Sequence, residues 1–236
     1  MHFEWNKDTI GWQLTAAEYT GYAENMAKLL LPKITCRGSL CDIGCGMALV
    51  DFALAPYFDR VTCVDLNETA LDFVREHAAR LRMDNLKAVH ADGTGLAGQW
   101  DTVMALFHGE IEANCENYLR KARRQFIAVT HGSAGRGAEH TERCNYTDVL
   151  TAWLDERGYT YQREDGALEF GQPHRSMEDA VASTAAYYPQ IPPDAIRENV
   201  LQTVVETGRE DFPYYTPKTR KFSIFVIPRA ENAHLL

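Results

Sequence analysis

The sequence predicts an α/β fold built on a largely parallel sheet. Two observations carry that reading. Short apolar runs alternate with helical periodicities from residue 39 to residue 158, the pattern of consecutive strand–helix units. The runs are continuously apolar, as strands covered on both faces are.

The elements follow in order. Residues 8–31 read as one helix, with Ala16, Tyr19, Tyr22, Ala23, Met26, Leu29 and Leu30 at three- and four-residue steps and Pro32 behind them. "SLCDIG" (39–44) is the first strand, and "MALVDFALAPYF" (47–58) a helix weakened near Pro56. "RVTCVDLN" (60–67) is a second strand ending at Asp65. The clearest helix is 68–83, with Leu71, Val74, Ala78 and Leu81 in one stripe and Asn67 placed to cap it. Strands follow at 85–92, 100–109 and 124–132, with a helix near 111–121 between the last two. A helix over 145–158 stops at Gly158. Residues 159–170 read as two short strands joined by Asp165-Gly166, a hairpin signal. Helices at 176–189 and 192–208 and a strand at 221–229 complete the chain.

Composition narrows the function. The 236 residues are 45% hydrophobic and 24% charged, with a net charge of -9. An acidic chain lacks the clustered cations that phosphate backbones require, so nucleic acid is not expected as a partner. The densest basic run, Arg120 to Arg124, sits at a helix end, where cations suit the dipole. No apolar run approaches the ~20 residues of a membrane span. No basic-then-apolar leader opens the chain, which gives the expectation of a cytoplasmic protein. The oligomeric state is not legible.

The stretch "CDIGCGMAL" (41–49) admits a metal site, a redox pair or a cofactor-binding turn. Structural zinc needs a second close cysteine pair, and Cys36, Cys41 and Cys45 have none downstream. No C-x-x-C motif is present, and Cys63, Cys115 and Cys144 read as ordinary thiols, so no metal is expected. The cofactor reading does better. Gly44 and Gly46 fall where a strand turns into a helix, and Asp65 ends the next strand, where a carboxylate can accept from ribose hydroxyls. The third glycine of a dinucleotide fingerprint is missing. Asp42 would repel a pyrophosphate but suits a cofactor carrying an ammonium and a sulfonium. That sign favours S-adenosylmethionine over a nicotinamide dinucleotide.

"LCDIGCGMA" (40–48) resembles the D/E-x-G-x-G-x-G loop of class I, Rossmann-like S-adenosylmethionine-dependent methyltransferases. "VTCVDLN", "AVHADGTGL" and "WDTVMALFHG" are similar to that family's next three motifs. The resemblance implies a three-layer sandwich around a seven-stranded, mostly parallel sheet with an antiparallel last strand, and S-adenosylhomocysteine as product. It also implies roles by position. Gly44 and Gly46 pass under the methionine part, and Asp42 holds its amino group. Asp65 grips the ribose and Leu66 packs on the adenine. Asp92 receives the adenine amino group, Gly93 donates a backbone N–H, and Phe107 lies near the transfer face. Ala48 departs from the commoner glycine, with little effect expected. Asp65 as a helix cap and Asp92 as a turn former are the competing structural readings.

The chemistry implied is direct displacement, with alignment by the protein and an optional base. His108, then His131, are the candidate bases, with Glu110 beside them; a plain hydrogen-bonding role competes for each. "LFHGE" lacks the [DN]-P-P-[YF] motif of enzymes that methylate nucleic-acid amino groups or glutamine. Residues 1–37 are expected to form an N-terminal helical cap, 38–170 a cofactor-binding core, 171–220 a helical lid and 221–236 the last strand and tail. Trp5, Trp12, Tyr19 and Tyr22, with Tyr187, Tyr188, Phe212, Tyr214 and Tyr215, either line an acceptor site or are packing residues. A small-molecule methyl acceptor is the leading expectation. A protein substrate, or a binding module without turnover, is the alternative.

Overall fold

The computed structural model describes residues 5–109, 111–132 and 146–235. The chain divides into two compact units, one of Glu24–Ala167 with Lys221–Leu236, the other of Met1–Ala23 with Leu168–Arg220.

The larger unit is an α/β sandwich. Its strands are β1 (Ser39–Ile43), β2 (Arg60–Asp65), β3 (Leu86–His90), β4 (Trp100–Leu106), β5 (Ala122–His131) and β6 (Gln162–Glu169). The last, β10 (Thr219–Pro228), lies between β5 and β6, giving the order β3-β2-β1-β4-β5-β10-β6. The first five run parallel, and β10 is antiparallel to β5. Opposite β6, Phe170 N bonds Lys218 O, Gly166 faces Phe222 and Asp165 bonds Ser223. Partner numbers fall as residue numbers rise, so β6 and β10 are antiparallel too.

The parallel strands place their carboxyl ends on one edge. The inner strands β1, β4 and β5 are largely buried because helices cover both faces, whereas in the edge strand β3 only Leu86 is buried. Leu119, Tyr118, Cys115 and Ile111 of α5 (Ile111–Lys121) and Leu150 and Leu154 of α6 (Tyr146–Glu156) pack with Cys41, Ile43, Val103, Ala105 and Phe126. The alternate β1 residues, Leu40 and Asp42, point to the other face, where α3 (Leu49–Leu54) brings Asp51 against Asp42. Along the outer edge of the sheet, α4 (Glu68–Leu81) begins at Asn67, whose side chain accepts from Ala70 N as the sequence predicts.

Three readings are corrected. The helix expected over 8–31 is two, α1 (Lys7–Thr20) and α2 (Tyr22–Leu30). Gly21, at φ 61°, closes the first by donating to Ala17 O. Asp165-Gly166 is not a turn but the middle of β6. A Cβ on Gly166 would fall 2.7 Å from the Phe222 ring, so glycine is there to admit an aromatic neighbour. The 171–220 insertion is not purely helical. Beside α7 (Met177–Tyr187) and α8 (Pro193–Thr203) it carries β7 (Gln172–His174), β8 (Val205–Glu206) and β9 (Tyr214–Thr216) in an antiparallel sheet ordered β7-β9-β8.

The smaller unit joins α1 to that insertion. Trp12 Nε1 donates to Asp179 Oδ1 at 2.9 Å. Tyr19 stacks on Tyr215 at 5.1 Å and meets Phe212 edge-on at 6.0 Å. Tyr22 packs on Phe170, and Trp12 on Tyr187. These aromatic residues pack on one another inside the unit. His174 is buried between the Thr216 and Ser183 hydroxyls, and burial holds its pKa down.

Candidate functional site

The site begins at the carboxyl end of β1. Gly44 and Gly46 lie at φ +75° and +53°, in the left-handed region that β-carbons disfavour. Gly44 N and Cys45 N both donate to Val64 O, at 2.8 and 3.1 Å. Gly46 N donates to Asp65 Oδ2 at 2.8 Å, and Asn67 N to Asp65 Oδ1 at 2.8 Å. Asp65 therefore clamps the glycine loop to the end of β2, while Asn67 caps α4. Ala48 also sits at φ +52°, immediately before α3. An L-residue at that φ carries an αL cost of about 1–2 kcal/mol, which burial of its methyl partly offsets.

At the end of β4 the chain turns through Phe107, at φ +54°, with its N–H on Val129 O at 2.7 Å. A non-glycine residue in that region is locally strained. The next residue, His108, lies across Gly44. A Cβ on that glycine would meet His108 Nδ1 at 2.2 Å. The Phe107 and His131 rings are 4.8 Å apart. His108 thus fronts the glycine loop, and His131 stands beside Phe107 at the end of β5. Glu110 and Cys144 lie outside the described residues.

Asp92 lies just beyond β3. Its Oδ1 accepts from Thr94 N and Thr94 Oγ1, each at 2.8 Å, and these bonds lower its pKa. The charges of His108 and Lys121 act in the same direction. Gly93 is forced by packing, since a Cβ there would fall 2.1 Å from Ile43 Cγ2. Leu66 is 66% exposed, between Asp65 and Asn67. The residues singled out in the sequence, Asp42, Gly44, Gly46, Asp65, Leu66, Asp92, Gly93, Phe107, His108 and His131, thus all lie at the strand ends of one sheet edge.

Two neighbours escaped the sequence reading. Asp51 lies against Asp42, and each carboxyl is 1% exposed. Oδ1 of both has no hydrogen-bond partner. Burial raises both pKa values, that of Asp51 to about 7. The signal was present in "LVDFAL", an acid enclosed by apolar residues. Cys45 and Cys63 are also in side-chain contact, their thiols held protonated mainly by burial. Cys36, Cys41, Cys45, Cys63 and Cys115 are free thiols. Among the described residues no group of three or more His, Cys, Asp or Glu is arranged to hold a metal. No helix among them is long and apolar enough to cross a membrane.

Two features fit a cationic nucleoside cofactor. Glycine at 44 lets the backbone bend approach a ring, here His108, more closely than any β-carbon would allow, and Asp42 brings an unpartnered carboxyl oxygen to the same strand end.

Comparison with known proteins agrees with this geometry. Residues 40–127 match the family model of a methyltransferase domain. The fold is similar to that of the YcgJ protein from Bacillus subtilis, with a TM-score of 0.57 and 12% identity over 86% of this chain and 97% of that one. It is also similar to magnesium protoporphyrin IX methyltransferase from Synechocystis PCC 6803 with bound S-adenosylhomocysteine (TM-score 0.52, 15% identity, 88% and 83% covered). A Pyrococcus horikoshii protein described provisionally as an RNA methyltransferase shares it too (0.55, 12%, 88% and 84%). At these identities the likeness is one of fold.

Proposed function

We propose that the chain is a class I S-adenosylmethionine-dependent methyltransferase that methylates a small-molecule acceptor by direct displacement, a reading supported by the match of residues 40–127 to a methyltransferase-domain model. The single observation carrying the cofactor half of this reading is the glycine loop. It has left-handed Gly44 and Gly46, is clamped by Asp65 and is fronted by His108.

The cofactor, when bound, supplies an electrophilic methyl group on a positively charged sulfur. The protein's own residues do the rest. Gly44 and Gly46 let the backbone approach the methionine part, and Asp42 places a carboxyl beneath its ammonium. Asp65 has both oxygens engaged by backbone N–H groups. Its remaining lone pairs are the acceptors for ribose hydroxyls. Leu66 covers the adenine, with Asp92 and the Gly93 N–H at its polar edge. Phe107 and His131 line the transfer side. His108 and His131 are the groups positioned to take a proton from the acceptor. Holding acceptor, carbon and sulfur in line is the larger contribution.

The small-molecule reading rests on net charge and on the smaller unit. A net charge of -9 disfavours a polyanionic substrate. The insertion with α1 is an ordered, aromatic-rich unit of its own, and we assign it acceptor selection. The test is calorimetry with S-adenosylmethionine, S-adenosylhomocysteine and NAD, then incubation of a metabolite extract with S-adenosylmethionine. Binding of the two sulfur nucleosides but not NAD, and a metabolite gaining one methyl, is the expected result. Methyl transfer to RNA or protein but to no metabolite would overturn the acceptor assignment.

A further inference from the structure

The acid pair beneath the glycine loop is not needed to hold the loop, which Asp65 and Val64 O already secure. Asp42 comes from β1 and Asp51 from α3, and the two face each other at 1% exposure. Each has one carboxyl oxygen with no partner. Two ionised carboxylates in so dry a place repel each other and lose their hydration, so the pair keeps a proton.

Among the described residues no cation acts on the pair. The groups acting on the pair are Cys45 from the loop, and Cys63 and Asp65 from β2. Cys41, the β1 neighbour, points to the opposite face, where Lys121 acts on it. Lys121 itself donates to Thr94 O and Leu96 O. On α3 the next residue, Phe52, meets the His77 ring of α4. His108 lies above the loop, over Gly44. The thiols are neutral, and the Asp65 carboxylate acts on Asp42 as a like charge.

We propose that Asp51 is a positioning residue that makes Asp42 half of a proton-holding pair, and that seating the cationic cofactor expels this proton. The inference rests on the cofactor reading above. The loop closes over the pair from Gly44 to Ala48, so a sulfonium and an ammonium laid on Gly44 and Gly46 bring positive charge to it. An ionised Asp42 then accepts from the ammonium, and its unpartnered oxygen gains a partner. Apart from the cofactor the proton is retained; with it, the proton leaves to solvent. Cofactor affinity therefore falls as pH falls, through a residue that need not touch the cofactor.

The experiment is titration calorimetry of the full chain with S-adenosylmethionine, in buffers of different ionisation heat, between about pH 6 and pH 7, below the range where a free α-amino group titrates. Roughly half to one proton is released per cofactor at about pH 7, and affinity drops roughly five- to tenfold toward pH 6. Asp51→Asn keeps the shape and removes the shared proton. It binds with no proton release and with affinity constant within about twofold over that window. A merely structural Asp51 would move affinity but not its pH slope. Wild-type binding without proton release overturns the proposal and leaves the cofactor reading intact, and needs no variant to fold. A slope retained in Asp51→Asn also overturns it, assigning the proton to another group. No binding at any pH overturns the cofactor reading itself.

Discussion

At the scale of residues, the glycine loop concentrates the testable chemistry. Gly44→Ala adds a Cβ at φ +75° and 2.2 Å from His108 Nδ1. The αL penalty is about 1–2 kcal/mol, and the histidine must also swing away. A lower urea midpoint with unchanged m-value, and at least a tenfold loss of S-adenosylmethionine affinity, are expected. Asp65→Ala strands the N–H groups of Gly46 and Asn67. Leaving such partners unmade costs about 1–3 kcal/mol; an affinity unchanged in the folded variant would remove Asp65 from the site. Asp51 gives a stability test separate from binding. Its folded pKa of about 7 lies above the unfolded value of about 3.9. The stabilisation from its bound proton is therefore full below about pH 4 and lost as pH rises through about 7. Asp51→Asn escapes that loss. Denaturation at pH 8 should find it more stable than wild type by about 2 kcal/mol, and the gap should narrow toward pH 5.

At the scale of elements, what the sequence made legible was whatever local chemistry decides. Asn67 and Gly158 end or begin helices through their own side chain or backbone freedom, and both act as their residue types suggest. The acids of the first two motifs fall within or at the end of a strand, and Asp92 just beyond one, because apolar runs mark the strands. Partners distant in sequence were not legible. Asp165-Gly166 has the chemistry of a turn, but Phe222, 56 residues later, presses its ring onto Gly166 and keeps the strand extended. Asp51 reads as a polar helix residue until α3 is docked on β1. Strands β7, β8 and β9 are three, two and three residues long, too short for any periodicity. Gly166 gives the matching prediction. Valine is the better strand former in isolation, yet Gly166→Val should destabilise by about 1–3 kcal/mol, since the Phe222 ring must leave its place. A thermal melt equal to or above wild type would show that the ring moves freely.

At the scale of the whole molecule, the question is which unit carries which half of the activity. The hydrophobic cluster that α5 and α6 form with the sheet draws its residues from 41–161 and 225–235, all within the larger unit. The smaller unit needs two separate chain segments, 1–23 and 168–220. It packs α1 onto the insertion through Trp12, Tyr19 and Tyr22. Removing only the insertion would leave those rings bare, so both segments must go together. The antiparallel pairing of β6 with β10, closed by Phe170 N on Lys218 O at 2.8 Å, gives the joint. A chain beginning at Glu24, with residues 171–217 replaced by an Asn-Gly turn, keeps the sheet continuous through a two-residue hairpin. It should unfold in one cooperative transition and bind S-adenosylmethionine within a few-fold of the full protein, while losing methyl transfer to the natural acceptor. Binding and turnover measured on the same preparation decide the matter. Transfer at the full rate would place acceptor recognition in the sheet unit alone, whereas loss of cofactor binding in a folded product would make the smaller unit part of the cofactor site.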